Sequence, residues 1–137
     1  MSSEPISRPI AIVDDDDSVR IALKDLIEAD GLSTLCFGSA EEFLDSGAQD
    51  KALCLIADIR MPGMSGLELQ AKLDAEQCRV PIIFITAHGD ARMRVQAMRN
   101  GAVEFLTKPF DNAVLLEKVH AAVEDYAKGL GFWDSSR

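Results

Sequence analysis

The chain reads as short apolar runs alternating with amphipathic segments. Pro9 to Val13 is an apolar run that Asp14-Asp15-Asp16-Asp17 breaks abruptly. Runs of this length, bounded by turn or charge signals, read as strands buried on both faces. In the helix that follows, Val19, Ala22, Leu23, Leu26 and Ile27 share one face, with Arg20, Lys24 and Glu28 opposite. Asp17 or Ser18 caps this helix and Gly31 stops it. Ser33 to Phe37 is a second, weaker strand. Ser39-Ala40-Glu41-Glu42 has the capping-box form and opens a short helix that turns Phe43 and Leu44 inward. Leu53 to Ala57 is the third strand, ending at Asp58 ahead of a Pro62-Gly63 break. Ser65-Gly66-Leu67-Glu68 is a second capping box, opening a helix with Leu69 and Leu73 inward. Pro81 to Ile85 is the fourth strand, ending at Thr86. Asp90 caps a helix to about Asn100, and Gly101 closes it. On this helix Ala91, Val95 and Met98 are expected to face the sheet, with Arg92, Arg94 and Arg99 outward. Val103 to Leu106 is the fifth strand, and Glu104 predicts an edge position because a central strand would bury its charge. Asp111 caps a last helix with the stripe Leu115, Val119, Ala122, Val123 and Tyr126.

Five strands alternating with five helices predict an α/β fold. Each crossover is long enough for a right-handed β-α-β unit, so the sheet is expected to be parallel with helices on both faces. In such sheets ligands bind beyond the carboxyl ends of the strands. Those ends carry Asp14 and Asp15, then Asp58, then Thr86, then Lys108. With a strand order 2-1-3-4-5 the first and third strands are neighbours, and Asp14, Asp15 and Asp58 converge. Three carboxylates sharing a small site call for a cation, and a hard divalent ion with oxygen ligands fits best. Lys108 supplies a point charge suited to a phosphoryl oxygen, and Thr86 a hydroxyl donor. These are parts for phosphoryl transfer to a carboxylate nucleophile at Asp58. Each group alone has a plainer reading. Asp16 and Asp17 read as a solvated helix N-terminus, and a lone strand-end Asp is more often a turn residue. Their joint occurrence at one sheet edge outweighs those readings.

The length of 137 residues fits one domain, and the net charge of −9 argues against direct nucleic-acid binding. No apolar stretch approaches a transmembrane span, and the N-terminus lacks a signal-peptide core. The expected location is therefore cytoplasmic, without membrane contact. Cys36, Cys54 and Cys78 show no metal-ligand spacing, and Cys36 and Cys54 read as core thiols. His88 reads as a loop residue, His120 as partly packed on the last helix, and Trp133 as part of the tail.

Taken together, Ile12-Val13-Asp14-Asp15, the stretch from Asp58 to Gly66, Ile85-Thr86-Ala87 and Lys108-Pro109-Phe110 resemble the receiver domain of bacterial two-component response regulators. His88-Gly89-Asp90 and Gly101 to Leu106 look most like the FixJ-type subgroup, whose members usually carry a C-terminal DNA-binding domain. The resemblance covers about residues 9–127. It leaves 1–8 as a flexible N-terminus and 128–137 as a tail or the start of a linker, with nothing after 127 resembling an output domain. It implies a flavodoxin-like (CheY-like) fold of order 2-1-3-4-5. It implies that Asp58 accepts a phosphoryl group from a sensor histidine kinase. Asp15, Asp58 and the Arg60 backbone carbonyl would hold Mg2+ (or Mn2+) directly, and Asp14 through water. Thr86 and Lys108 would contact the phosphoryl group, and the Lys108-Pro109 bond would be cis. Thr86 and Phe105 would form the switch. The output face would then be the fourth helix, fifth strand and last helix, with Arg92, Arg94, Met98, Arg99 and Phe105, serving a phosphorylation-dependent homodimer or an effector domain. The competing reading is a small Mg2+-dependent phosphohydrolase with an aspartyl-phosphate intermediate. That enzyme would need a second acid near the nucleophile, and the residue two after Asp58 is Arg60. A signalling module rather than a turnover enzyme is therefore expected.

Overall fold

The structure, a computed structural model, describes residues 8–87 and 91–129. In chain order the elements are β1 (Ile10–Val13), α1 (Asp17–Ala29), β2 (Thr34–Phe37), α2 (Ala40–Ser46), a 3-10 turn (Ala48–Asp50) and β3 (Cys54–Asp58). There follow α3 (Gly66–Ala75), β4 (Ile82–Thr86), α4 (Ala91–Arg99), β5 (Glu104–Thr107) and α5 (Asn112–Gly129). The five strands form one sheet of order β2-β1-β3-β4-β5, parallel throughout. The flavodoxin-like order is therefore present, and Glu104 lies on an edge strand as its charge requires.

Alternation along the strands divides the apolar residues between two layers. Ala11, Val13, Leu55, Ala57, Phe84 and Phe105 pack against Phe43 of α2, Leu69 and Leu73 of α3 and Ala97 of α4. Ile10, Ile12, Cys54, Ile56, Ile83 and Ile85 pack against Leu23 and Ile27 of α1 and Leu115, Val119, Ala122 and Val123 of α5. The three central strands are buried along their whole length, whereas both edge strands are partly exposed. That is why β1, β3 and β4 are continuous apolar runs and β2 is weaker in sequence.

Several details depart from the expected elements. The N-cap of α1 is Asp16, whose Oδ1 accepts from Ser18 N at 2.9 Å and Val19 N at 3.3 Å, not Asp17 or Ser18. The helix starts earlier because Asp14 Oδ1 already takes the Asp16 N–H at 2.9 Å. On α1 only Leu23 and Ile27 are buried, and Ala22 is exposed at the margin of the stripe.

The phase of α4 also differs. Ala97 is buried and Met93 half-buried, while Ala91 is exposed, Val95 is 52% exposed and Met98 38%. Two tertiary bonds account for this. Gln70 Nε2 of α3 donates to the Ala97 carbonyl at 3.0 Å, and the small Ala97 side chain permits that approach. Arg94 Nη1 donates to the Phe105 carbonyl at 3.0 Å, which turns the Arg94 face toward β5. The expected Asp90 cap lies outside the described residues, as do His88 and Trp133.

All three cysteines are free. Cys54 is buried, and burial pushes its thiol up to about 12. Cys36, on edge strand β2, is only half-buried and packs at the margin of the second layer. His120 is exposed rather than packed, its Nε2 meeting the Asp30 carboxylate beyond α1. Among the described residues no helix is long and apolar enough to cross a membrane.

Candidate functional site

Three strand ends build the mouth of the sheet. β1 runs straight into Asp14, which is fully buried. Pairing with Ile85 carries β3 one residue beyond the expected end, so Asp58 is its last residue, 7% exposed. Thr86 ends β4, 1% exposed, one residue past the strand partner of Asp58. Lys108 follows β5, and its N–H donates to the Thr86 carbonyl at 2.8 Å, tying the two ends together. The Lys108-Pro109 bond is cis.

Lys108 Nζ lies 3.4 Å from Asp14 Oδ2 and 3.3 Å from Asp58 Oδ2, between the two carboxylates. The other oxygens of both acids are held by backbone. Asp58 Oδ1 accepts from Arg60 N at 3.1 Å, and Asp14 Oδ1 from Asp16 N. These bonds fix both carboxylate planes and keep one oxygen of each toward the mouth. Asp15 is exposed beside them, and Asp14, Asp15 and Asp58 each offer a carboxylate oxygen within 4.8 Å of the others. Opposed ligands of a Mg2+ ion stand about 4 Å apart, so this donor set fits the ion with small adjustment. The hard carboxylate chemistry fits as well, and these three acids are the residues that would hold it.

Burial is the main cause that raises the Asp14 carboxyl above its usual range, and the Asp58 charge adds to it. The Asp16 N–H and Lys108 oppose the rise without cancelling it. For Lys108, burial works downward, but the charges of Asp14 and Asp58 outweigh it and the net shift is upward. A carboxyl with a raised folded-state pKa favours folding fully only below its unfolded value, near 3.8. That contribution is lost as pH rises through the folded value. Ionised Asp14 thus weakens the metal-free fold at neutral pH. Asp14→Asn is expected to melt above wild type in metal-free neutral buffer, the gap closing as pH falls toward 3.8. Melting curves across that range check it, and a gap that widens on acidification contradicts it.

The structure thus brings together Asp14, Asp15, Asp58 and Lys108, with Thr86 on the same edge. Arg60 is exposed, and its N–H rather than its side chain engages Asp58. On α4, Arg92, Arg94, Met98 and Arg99 are all exposed, whereas Phe105 on β5 is not. Phe105 is 2% exposed. The Arg94 guanidinium lies 5.8 Å from its ring centroid and 3.9 Å from Glu104. Periodicity missed two further participants. Arg20, expected on the solvent face of α1, donates from Nη1 to the Asp14 carbonyl at 2.7 Å and also pairs with Asp17. Glu41 Oε2 accepts from Met64 N at 2.9 Å, in the loop after Asp58.

A family model described as the response regulator receiver domain matches residues 10–120. The chain belongs to this family. Nodulation protein W of Bradyrhizobium diazoefficiens is 48% identical to this receiver domain over 115 residues, spanning 84% of this chain and 51% of that protein. Transcriptional regulatory protein FixJ of Azorhizobium caulinodans is 44% identical over 119 residues, spanning 87% and 56% respectively. The crystal structure of FixJ-N matches with a TM-score of 0.77 at 39% identity, covering 90% of this chain and 96% of that one. The receiver domain spans about half the length of these curated relatives. It is a signalling domain of the two-component response regulators, similar to the FixJ type, and the phosphohydrolase alternative finds no support.

Proposed function

We propose that Asp58 accepts a phosphoryl group from a phosphohistidine on a sensor histidine kinase in the cytoplasm, within a receiver unit spanning about residues 9–127. The observation that carries this reading is Lys108 Nζ between the carboxylates of Asp14 and Asp58, with Asp15 at the same mouth. An oxygen of Asp58 forms a bond to phosphorus as the bond to the imidazole nitrogen breaks, and that nitrogen leaves with the electron pair. Lys108 exchanges its contact with Asp58 for one to a phosphoryl oxygen. Thr86 Oγ1 donates to a second oxygen, and the Arg60 N–H holds the carboxylate plane. Asp15, Asp58 and the Arg60 carbonyl would hold Mg2+ (or Mn2+), with Asp14 acting through water, and the ion would supply charge neutralisation for the phosphoryl oxygens. The domain acts as a phospho-acceptor, not as an enzyme that turns over an external substrate.

The expected output is a change on the surface of α4, β5 and α5. Arg94 ties α4 to the Phe105 carbonyl, so a shift at Thr86, at the end of the neighbouring strand, reaches α4 through β5. Phe105 is already buried, so a change of its rotamer starts from the inward position. Val95, Met98 and Val103 leave apolar area exposed there, alongside Arg92 and Arg99. Homodimerisation or docking of a C-terminal effector domain on this face follows the same reading. Addition of beryllofluoride is expected to move amide NMR resonances from Asp58 through Thr86 to α4 and β5. Shifts confined to the mouth contradict this output path.

Mg2+ at a hundred times its Kd is expected to stabilise the fold by about 2.7 kcal/mol, a rise of several degrees in Tm. Asp15→Ala should lose most of that rise. Equal Mg2+ responses in wild type and Asp15→Ala refute the ligand assignment.

A further inference from the structure

For the Arg60 carbonyl to serve as a ligand beside Asp58, the loop between β3 and α3, residues 59–65, has to be held in place. Its ends are tied locally. Arg60 N–H donates to Asp58 Oδ1, and Gly66 N–H donates to the Ile59 carbonyl at 2.8 Å. Ser65 N–H donates to Glu68 Oε1 at 2.9 Å within the cap of α3. A Cβ at Gly66 would stand 2.4 Å from the Asp58 carbonyl oxygen, so this end has no slack.

The middle of the loop is held from another part of the chain. Met64 N–H donates to Glu41 Oε2, from 23 residues earlier, at 2.9 Å. The neighbouring Gly63 has φ +77°, and a Cβ there would lie 2.7 Å from the same oxygen. The Glu41 carboxylate therefore rests against the loop backbone at a turn that only glycine makes without strain. Glu41 also has no capping duty. Ser39 Oγ accepts from Glu42 N, and Glu42 Oε1 accepts from Gly38 N. Of two adjacent glutamates, one braces the entry to α2 at Gly38 and the other is committed to the loop beside Asp58.

We propose that Glu41 is a positioning residue for phosphoryl acceptance, clamping the 59–65 loop so that the Arg60 carbonyl stays at the Asp58 mouth. The proposal rests on the reading of Asp58 as the acceptor and of Mg2+ as its partner. Its test compares wild type, Glu41→Ala and Glu41→Gln, since the glutamine amide oxygen still accepts the Met64 N–H. Two quantities are read. One is hydrogen exchange at Met64 N in metal-free protein. The other is the Mg2+ concentration that half-saturates the rate of labelling by acetyl phosphate. Glu41→Ala is expected to speed Met64 exchange about fivefold or more and to raise the half-saturating Mg2+ severalfold, with Glu41→Gln close to wild type in both. Faster exchange with an unchanged Mg2+ requirement makes Glu41 a structural staple only and overturns the proposal. A glutamine variant that matches alanine in both also overturns it. Wild-type protein that takes no label defeats the acceptor reading itself, and the metal-free exchange data separate that failure from a failure of the clamp.

Discussion

Asp58→Asn is expected to abolish the phosphoryl adduct formed with acetyl phosphate and Mg2+ while the protein stays folded. Asparagine has nearly the same shape, and its amide oxygen still accepts the Arg60 N–H that holds the Asp58 carboxylate plane. An amide is too weak a nucleophile to form a stable bond to phosphorus. The substitution also removes one of three close carboxylate charges at the mouth, where Asp14 is fully buried. The metal-free variant should therefore melt no lower than wild type. Intact-mass measurement after labelling, with a melting curve on the same sample, checks both halves. A full adduct on Asp58→Asn moves the acceptor to another residue.

Lys108→Ala is expected to slow labelling about a hundredfold or more, the scale seen when one preorganised donor to a developing anion is removed. Its ammonium stands between Asp14 and Asp58 with only 20% of the side chain exposed. Removing it leaves two carboxylates facing each other without a fixed cation. Metal-free stability should fall by about 1–3 kcal/mol, and Mg2+ should return part of it by offsetting the same charges. Rates measured at saturating Mg2+ separate the chemical effect from metal affinity. A fall of less than about threefold under those conditions excludes a direct role on the phosphoryl group.

The sheet and its mouth were legible because both follow from periodicity. Continuous apolar runs identify β1, β3 and β4, and the first polar residue after each run names Asp14, Asp58 and Thr86. A parallel sheet then gathers those ends on one edge without further information. The phase of α4 was not legible in the same way. Its nine residues carry two competing small apolar sets, Ala91, Val95 and Met98 against Met93 and Ala97. Core packing of Met93 and Ala97, with tertiary bonds from Gln70 and Arg94, goes with the second. The same limit applies to Arg20 and Glu41. Arg20 reads as a solvated helix position and Glu41 only as part of a capping-box stretch, because a long side chain's partner on a distant backbone leaves no trace in spacing. The cap of α1 slipped by one residue for a local reason, since an acidic run offers several equivalent caps and the Asp14 side chain settles which one is used.

Which oxygen receives the phosphoryl group decides the function of this sheet mouth. Peptide mapping by tandem mass spectrometry, after labelling with acetyl phosphate and Mg2+ and reductive trapping of the acyl phosphate, locates it. One modified residue is expected, Asp58, with labelling lost when Mg2+ is chelated. Modification of Asp14, Asp15 or any other acid in place of Asp58, or labelling that proceeds equally without the metal, contradicts it.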